Sequence, residues 1–232
     1  MLVVVTGASK GIGFELVKKM SAIKGCMVIA ISRNIQTLTT LQSGKNGHAI
    51  LPIKADITKE KDLKKVLQTI LKINLPLDVL VNNAGMIVNK AFEKISTKEL
   101  QGVYDTNVLA PFKLIQLLLP ALKKSKKAHV VNISSMGGFQ GSAKFSGLSA
   151  YSSSKSALSG LTECLAEELK GFKISVNCLA IGAVQTEMLG KAFPGYKAPL
   201  MPSEMAEYIC DFALQGHRYF NGKIIPVSSS TP

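Results

Sequence analysis

Arginine is nearly missing from this chain: 26 of its 28 basic residues are lysine. Those lysines are scattered, and no alternation of basic with aromatic residues accompanies them. The formal net charge of +13 therefore has the sign of a nucleic-acid binder but not its pattern. The densest cluster, Lys123, Lys124, Lys126 and Lys127, joins a helical pattern to a strand pattern and reads as a solvated loop. The charge leaves open an attraction for acidic partners or substrates. Histidine is also scarce, with three residues, and the four cysteines (Cys26, Cys164, Cys178, Cys210) show no metal-ligand spacing. Both facts argue against a zinc site. The cysteines are expected to be buried free thiols in a reducing compartment. No apolar run is long enough to cross a bilayer, since the longest, Leu114 to Leu122, is broken by Gln116 and Pro120. Internal repeats, low-complexity blocks and an interdomain linker are absent as well. The opening residues, Met1 to Val5, already read as a buried strand. That predicts no signal or transit peptide and a cytoplasmic location.

What is present suits one soluble domain with a substantial core: 232 residues, 47% hydrophobic and 19% charged. Short apolar runs alternate with helical periodicity, which predicts a doubly wound parallel α/β sheet. Val3 to Val5 is followed at once by Thr6-Gly7-Ala8-Ser9-Lys10-Gly11-Ile12-Gly13, and then by Phe14, Leu16, Val17 and Met20 at helical spacing. A strand, a glycine turn and a helix opening at Gly11 make a dinucleotide cradle. Gly7 permits the tight turn, Gly11 lets the backbone approach a pyrophosphate, and Gly13 lets the helix pack closely. The N–H groups at the helix start attract phosphate.

The second strand, Cys26 to Ile31, ends in Ser32-Arg33-Asn34. An NAD-specific fold would carry a carboxylate there for the ribose hydroxyls. Ser32 and Arg33 stand there instead, and Lys10 can reach the same region, which argues for a 2′-phosphate and hence NADP(H). The third strand, Ala49 to Ile53, leads to Asp56, which either meets the adenine amino group, caps the helix from Lys59 to Ile73, or does both. The fourth, Asp78 to Val81, ends in Asn82-Asn83-Ala84-Gly85. Those small and amide residues suit close approach to a ribose and tying of neighbouring strands. Ser96 to Leu122 reads as one long helix, bent near Pro111. It is apolar nearly all round from Val108, which points to a subunit interface as well as core. Asn107 is polar within that stretch, and satisfaction by backbone is its plain reading. The fifth strand, His129 to Ile133, ends in Ser134-Ser135, followed by a Gly- and Ser-rich loop. No Gly-x-Ser-x-Gly elbow or suitably placed histidine supports serine-hydrolase chemistry. A sixth strand (Lys173 to Leu179), a helix from about Ser203 to Leu214 and an edge strand within Gly222 to Val227 complete the pattern.

Tyr151 and Lys155 open a helical run that stops at Gly171. At i,i+4 spacing they share one face. A phenol titrates near pH 10, and bringing it to about 7 needs roughly 4 kcal/mol. One ammonium at ~4 Å supplies about that much at an effective dielectric of ~20. The pair could therefore serve as an acid/base at neutral pH.

The ordered set Thr6-Gly7-x-x-x-Gly11-Ile12-Gly13, Asp56, Asn82-Asn83-Ala84-Gly85, Asn107, Ser135 and Tyr151-x-x-x-Lys155 resembles the single-domain branch of the short-chain dehydrogenase/reductase family, from Leu2 to about Leu214. The resemblance implies one NAD(P)-binding Rossmann domain over 1–232, with a short substrate loop around 187–202. It implies that Tyr151 is the general acid in reduction and base in oxidation, and that Lys155 lowers its pKa and binds the nicotinamide ribose. Ser135 would hold the substrate carbonyl oxygen, and Asn107 would support a proton relay through water to Lys155. The cofactor-binding set it implies is Gly7, Ser9, Lys10, Gly11, Ile12, Gly13, Ser32, Arg33, Asp56, Ile57, Asn83, Ala84, Gly85, Tyr151, Lys155, Val184 and Thr186. No metal, nucleic acid or membrane is expected, and the partners would be a small carbonyl or alcohol and further copies in a homodimer or homotetramer. Ile181-Gly182 stands where the family commonly has Pro-Gly, and the frequent Val-Asp-Gly-Gly tail is missing. The rival reading is a non-catalytic NADP(H) sensor or scaffold. It would keep the glycine turn but need not keep Ser135, Tyr151 and Lys155 together.

Overall fold

Strands and helices alternate along the chain because each apolar run is short and each is followed by an amphipathic segment. The computed structural model describes residues 1–42 and 49–229. The strands are β1 (Leu2–Thr6), β2 (Met27–Ser32), β3 (Ala49–Lys54), β4 (Leu77–Asn82), β5 (Ala128–Ser135), β6 (Ile174–Ile181) and β7 (Ile224–Val227). They form one seven-stranded sheet in the order β3-β2-β1-β4-β5-β6-β7, with every pair parallel. The helices are α1 (Gly11–Ser21), α2 (Gln36–Gln42), α3 (Glu60–Ile73), α4 (Thr97–Tyr104), α5 (Ala110–Leu122), α6 (Ser149–Glu168), α7 (Glu187–Ala192) and α8 (Pro202–Gln215).

The strands are apolar on both sides because helices cover both faces. On one face Val3, Val5 and Val28 pack with Leu16, Val17 and Met20 of α1 and Met205, Ile209 and Ala213 of α8. On the other, Leu2, Val4 and Ile29 pack with Leu63 and Val66 of α3, Leu114 and Leu118 of α5 and Ala166 of α6. The expected edge strand is present as β7, paired with β6. No described helix is long and apolar enough to cross a membrane.

Three expectations need correcting. The helix from 96 to 122 is interrupted by a π turn at Asp105–Leu109, upstream of Pro111, where the Ala110 N–H donates to the Asp105 carbonyl. Pro111 has no N–H with which to close the ordinary bond to the Asn107 carbonyl, so the helix widens one turn earlier, and Pro111 itself sits in the first turn of α5, where it is tolerated. Cys26, Cys178 and Cys210 are buried, but Cys164 is exposed, because it lies two residues beyond buried Thr162 and so on the other side of α6. The left-handed residue that ends the α6 segment is Lys173 (φ 57), after a 3-10 turn at Lys170–Phe172, rather than Gly171. The lysine loop is exposed as expected, with two local contacts. Lys123 lies 3.5 Å above the Phe172 ring, and Lys124 Nζ donates to Asn74 Oδ1 at 2.9 Å.

His129 on β5 is fully buried at the end of the sheet remote from the glycine turn. Its Nδ1 lies 2.9 Å from the Ala213 carbonyl, so Nδ1 carries the hydrogen, and Nε2 lies 3.0 Å from Asn177 Nδ2, from which it accepts. Burial pulls its pKa down to about 4, with the Ala213 bond opposing and nearby His217 assisting. The unfolded chain holds the proton below about 6.5, the folded chain only below about 4, so stability is complete above 6.5 and lost as pH falls towards 4. The shift corresponds to roughly 3 kcal/mol. Urea denaturation from pH 7 to pH 4 should show this loss, and H129Q should lose less; an equal slope in both proteins would assign the acid lability elsewhere.

Candidate active site

The crossovers from β1 and β4 leave in opposite directions, so a crevice opens between them at the carboxyl ends of the strands. A cavity of about 1460 Å³ occupies it. Its floor is the glycine turn. Gly7 and Gly11 adopt φ of +67° and +57°, which only glycine takes without strain. A Cβ on Gly13 would overlap the Gly7 carbonyl oxygen and Asn83 Nδ2, so helix and turn close against each other only with hydrogen there. The first turn of α1 has no acidic residue and no side-chain cap. Its leading N–H groups and positive end are thus left for an anion, which fits a dinucleotide pyrophosphate.

Thr6 joins the two halves of the crevice. Its hydroxyl oxygen accepts from the Asn83 and Ala84 N–H groups at 3.1 Å each, while Asn83 Nδ2 donates to the Thr6 carbonyl at 2.9 Å. Asn82 Nδ2 donates to Asn132 Oδ1 at 2.8 Å, so both asparagines tie strands together. Ala84 and Gly85 face the cavity.

Ser9, Ile12, Arg33, Asp56, Ile57 and Val184 line the same cavity, as does Ser32, which is itself buried. Lys10 departs from its expected direction. Its Nζ lies 2.8 Å from Glu187 Oε2, a pairing across the mouth of the crevice between residues 177 apart in sequence. Asp56 caps neither helix nor strand. Its Oδ1 accepts from the Thr58 N–H (3.0 Å) and hydroxyl (2.8 Å), while Lys59 is the N-cap of α3 and makes no side-chain cap. Burial pushes the Asp56 carboxyl up, but the two Thr58 bonds and the Arg33 charge outweigh it and hold the group below the usual range. Thr186 Oγ1 accepts from the Leu189 N–H and caps α7, and its methyl would lie 3.3 Å from a Cβ at Gly11.

Tyr151 and Lys155 are on one face of α6 and both open on the cavity. Lys155 Nζ is 5.8 Å from the Tyr151 ring centre. Ser135, at the end of β5, lines the cavity with Tyr151, and its hydroxyl oxygen accepts from the Gly137 N–H at 3.1 Å. Lys155 is 3% exposed and its Nζ donates to the Ile133 carbonyl at 2.7 Å. Burial pulls the Lys155 ammonium down to about 8, with Cys178 opposing. Burial also pushes the Tyr151 phenol up, with the neighbouring Ser135 hydroxyl opposing. That direction is opposite to the one expected from charge alone. The ammonium addresses a carbonyl of β5 rather than the phenol oxygen, and burial penalises the phenolate.

Asn107 is fully buried within the π turn. Its Oδ1 accepts from the Met86 N–H at 2.8 Å, and its Nδ2 donates to the Met86 carbonyl and to Ser154 Oγ, both at 2.9 Å. A Cβ on Gly85 would stand 3.6 Å from both Asn107 Oδ1 and Lys155 Nζ, so Gly85 separates the two.

The profile of the short chain dehydrogenase family matches residues 1–197. The chain belongs to that family. It is 34% identical over 191 residues to the ketoacyl reductase HetN of a Nostoc species, covering 80% of this chain and 64% of that protein's length. It is 32% identical over 224 residues to human retinol dehydrogenase 8, covering 93% of this chain and 70% of the relative. Among solved structures, the 3-ketoacyl-(acyl-carrier-protein) reductase from Brucella melitensis complexed with NADH matches with a TM-score of 0.86 and 26% identity, covering 97% of this chain and 96% of that one. A 4-hydroxyisoleucine dehydrogenase complexed with NADH also has a TM-score of 0.86, at 23% identity and 99% and 97% coverage, a likeness of fold.

Several neighbours of this short-chain dehydrogenase site carry no mark in the sequence that singled them out. Ser154 Oγ donates to the Tyr151 carbonyl at 2.6 Å and accepts from Asn107, joining the π turn to α6. Ser134 Oγ donates to the Lys155 carbonyl at 2.9 Å. Thr37 Oγ1 donates to the Ser9 carbonyl at 2.8 Å and lines the cavity beside Arg33. The position of Ser154 directly before Lys155 was the available signal. A backbone acceptor such as Ile133 offers none.

Proposed function

We propose that this short-chain dehydrogenase reduces a ketone or aldehyde to the alcohol, using NADPH. One observation carries the reading: Tyr151, Ser135 and Lys155 line the same cavity as the glycine turn. When bound, the cofactor supplies the hydride to the carbonyl carbon. Ser135 and Tyr151 donate hydrogen bonds to the carbonyl oxygen, and Tyr151 gives that oxygen its proton as the alcohol forms. A phenol pushed up by burial keeps its proton at neutral pH, the state a donor needs. Lys155 holds the ribose, and its ammonium stabilises the phenolate left behind. Asn107 fixes the π turn against Met86, where a water-borne proton returns through Lys155. Gly7, Ser9, Gly11, Ile12 and Gly13 would hold the pyrophosphate side, Asp56 and Ile57 the adenine, Asn83, Ala84 and Gly85 the adjoining ribose, and Val184 and Thr186 the carboxamide.

Ser32, Arg33 and Lys10 support NADPH over NADH. Arg33 stands at the end of β2 with no carboxylate beside it in the chain. The Lys10–Glu187 pair is half-exposed, and such a pair is worth about 0–1 kcal/mol, which a 2′-phosphate can outbid. R33A should lower kcat/KM with NADPH by about 10- to 100-fold, the loss of one charge-assisted bond, and leave NADH use little changed. Equal kcat/KM with both cofactors in the parent protein would refute the preference. The reading also takes the protein as cytoplasmic and as a homodimer or homotetramer, with exposed Leu109 and Phe112 as the face that assembly covers.

The test is NADPH oxidation over a panel of diketones, aromatic aldehydes and acyl-carrier thioesters. Turnover is expected. Tight NADPH binding without oxidation of any of them would make the chain a sensor or scaffold.

A further inference from the structure

Three separated segments meet at the open end of the cavity. The Lys90 N–H donates to the Gly147 carbonyl at 2.9 Å, and Asn89 Nδ2 donates to the Ala192 carbonyl at 2.8 Å. The rings of Phe145 and Phe193 meet edge to face with centres 6.5 Å apart. Gly147, at φ +84°, lies so close to Asn89 that a Cβ there would overlap Asn89 Oδ1. The Gly-rich loop after β5 and the segment after Thr186 are therefore stitched to each other and to the chain leaving β4. Into the cavity these segments send Met86, Ile87, Phe145, Leu148, Leu189 and Phe193.

Of the charged side chains that line the cavity, all but Lys98 stand beyond the apolar walls or are engaged, Asp105 by Gln101 Nε2 at 2.8 Å. Arg33, Asp56 and Lys59 lie beyond the ends of β2 and β3, and Lys98 and Asp105 lie along α4 and its π turn. Lys10 and Glu187 hold each other, and Lys155 is bound to Ile133. Phe145 is 45% exposed, so a large aromatic ring at this mouth waits to be covered.

We infer that the substrate is an uncharged carbonyl compound with an extended apolar body, seated on the Met86, Phe145 and Phe193 walls and selected by apolar area rather than by a charged anchor. This rests on the proposed carbonyl reduction for which end of the substrate reacts. The walls bind whether or not that reaction occurs.

The experiment has two arms. In the first, kcat/KM is measured for the straight-chain aldehydes from butanal to decanal with NADPH. A rise of about three- to fourfold per methylene is expected until the walls are filled. In the second, 1-butanol through 1-decanol are titrated calorimetrically into the full chain, with and without NADPH, and affinity should climb with chain length. In the Phe145→Ala, Phe193→Ala double variant the decanal-to-butanal ratio should collapse towards one. Turnover that is flat or falls with chain length overturns the inference. So does preference for short anionic keto acids with a salt-sensitive KM, which would put Lys98 in the role of anchor. No aldehyde turnover with alkanol affinity still climbing sinks the proposed reaction and keeps the apolar site. No turnover and no climb sinks both.

Discussion

Replacing Tyr151 by phenylalanine should lower kcat by about 10²- to 10⁴-fold, the usual worth of one positioned proton donor, while NADPH binding stays nearly intact. The substitution removes one hydroxyl and keeps the ring. The ring still packs on α6, with Lys155 Nζ 5.8 Å from its centre. Lys155 keeps its 2.7 Å bond to Ile133, and the glycine turn is untouched. What is lost is the O–H that would donate to a carbonyl oxygen in the cavity that Tyr151 lines. Steady-state kinetics beside a cofactor titration separates the two effects. A variant that turned over at the parent rate would remove Tyr151 from the chemistry. One that lost cofactor affinity in step with activity would show that the ring serves binding.

Substituting Gly13 by alanine should damage both the fold and cofactor binding. The added carbon meets the Gly7 carbonyl oxygen and Asn83 Nδ2. Neither can give way. Gly7 is held in its left-handed turn, and the Asn83 amide is bonded to the Thr6 and Gly7 carbonyls. Overpacking against backbone costs about 1–3 kcal/mol or more, and here it also forces the first turn of α1 away from the anion it would receive. A lower urea midpoint and at least about tenfold weaker NADPH binding are expected, the latter being the loss of roughly 1.4 kcal/mol. G160A is the matched control, since Gly160 is an exposed position in α6 with open space around it. That change should stabilise by about 0.5–1 kcal/mol. If the two variants melted alike, the close fit of helix and turn would not matter to the fold.

The sequence alone determined the alternation of apolar runs and periodic segments, and with it the parallel sheet and the position of the glycine turn after β1. It also determined that Tyr151 and Lys155 share a face, because helical spacing is local geometry and needs no knowledge of neighbours. Ser135 and Asn82-Asn83-Ala84-Gly85 were legible as strand ends for the same reason. The tertiary structure decided what those groups touch. Lys10 meets Glu187 across 177 residues, Lys155 finds a carbonyl on β5, and Asp56 turns to Thr58. The sequence shows that Pro111 lacks an N–H, but that the helix widens at Asp105–Leu109, just upstream, is visible only in the fold. The direction of the Tyr151 shift could not be read from spacing either. A charge one turn away is visible in a string of letters, but burial is the sum of everything packed around the phenol, and burial sets the sign here.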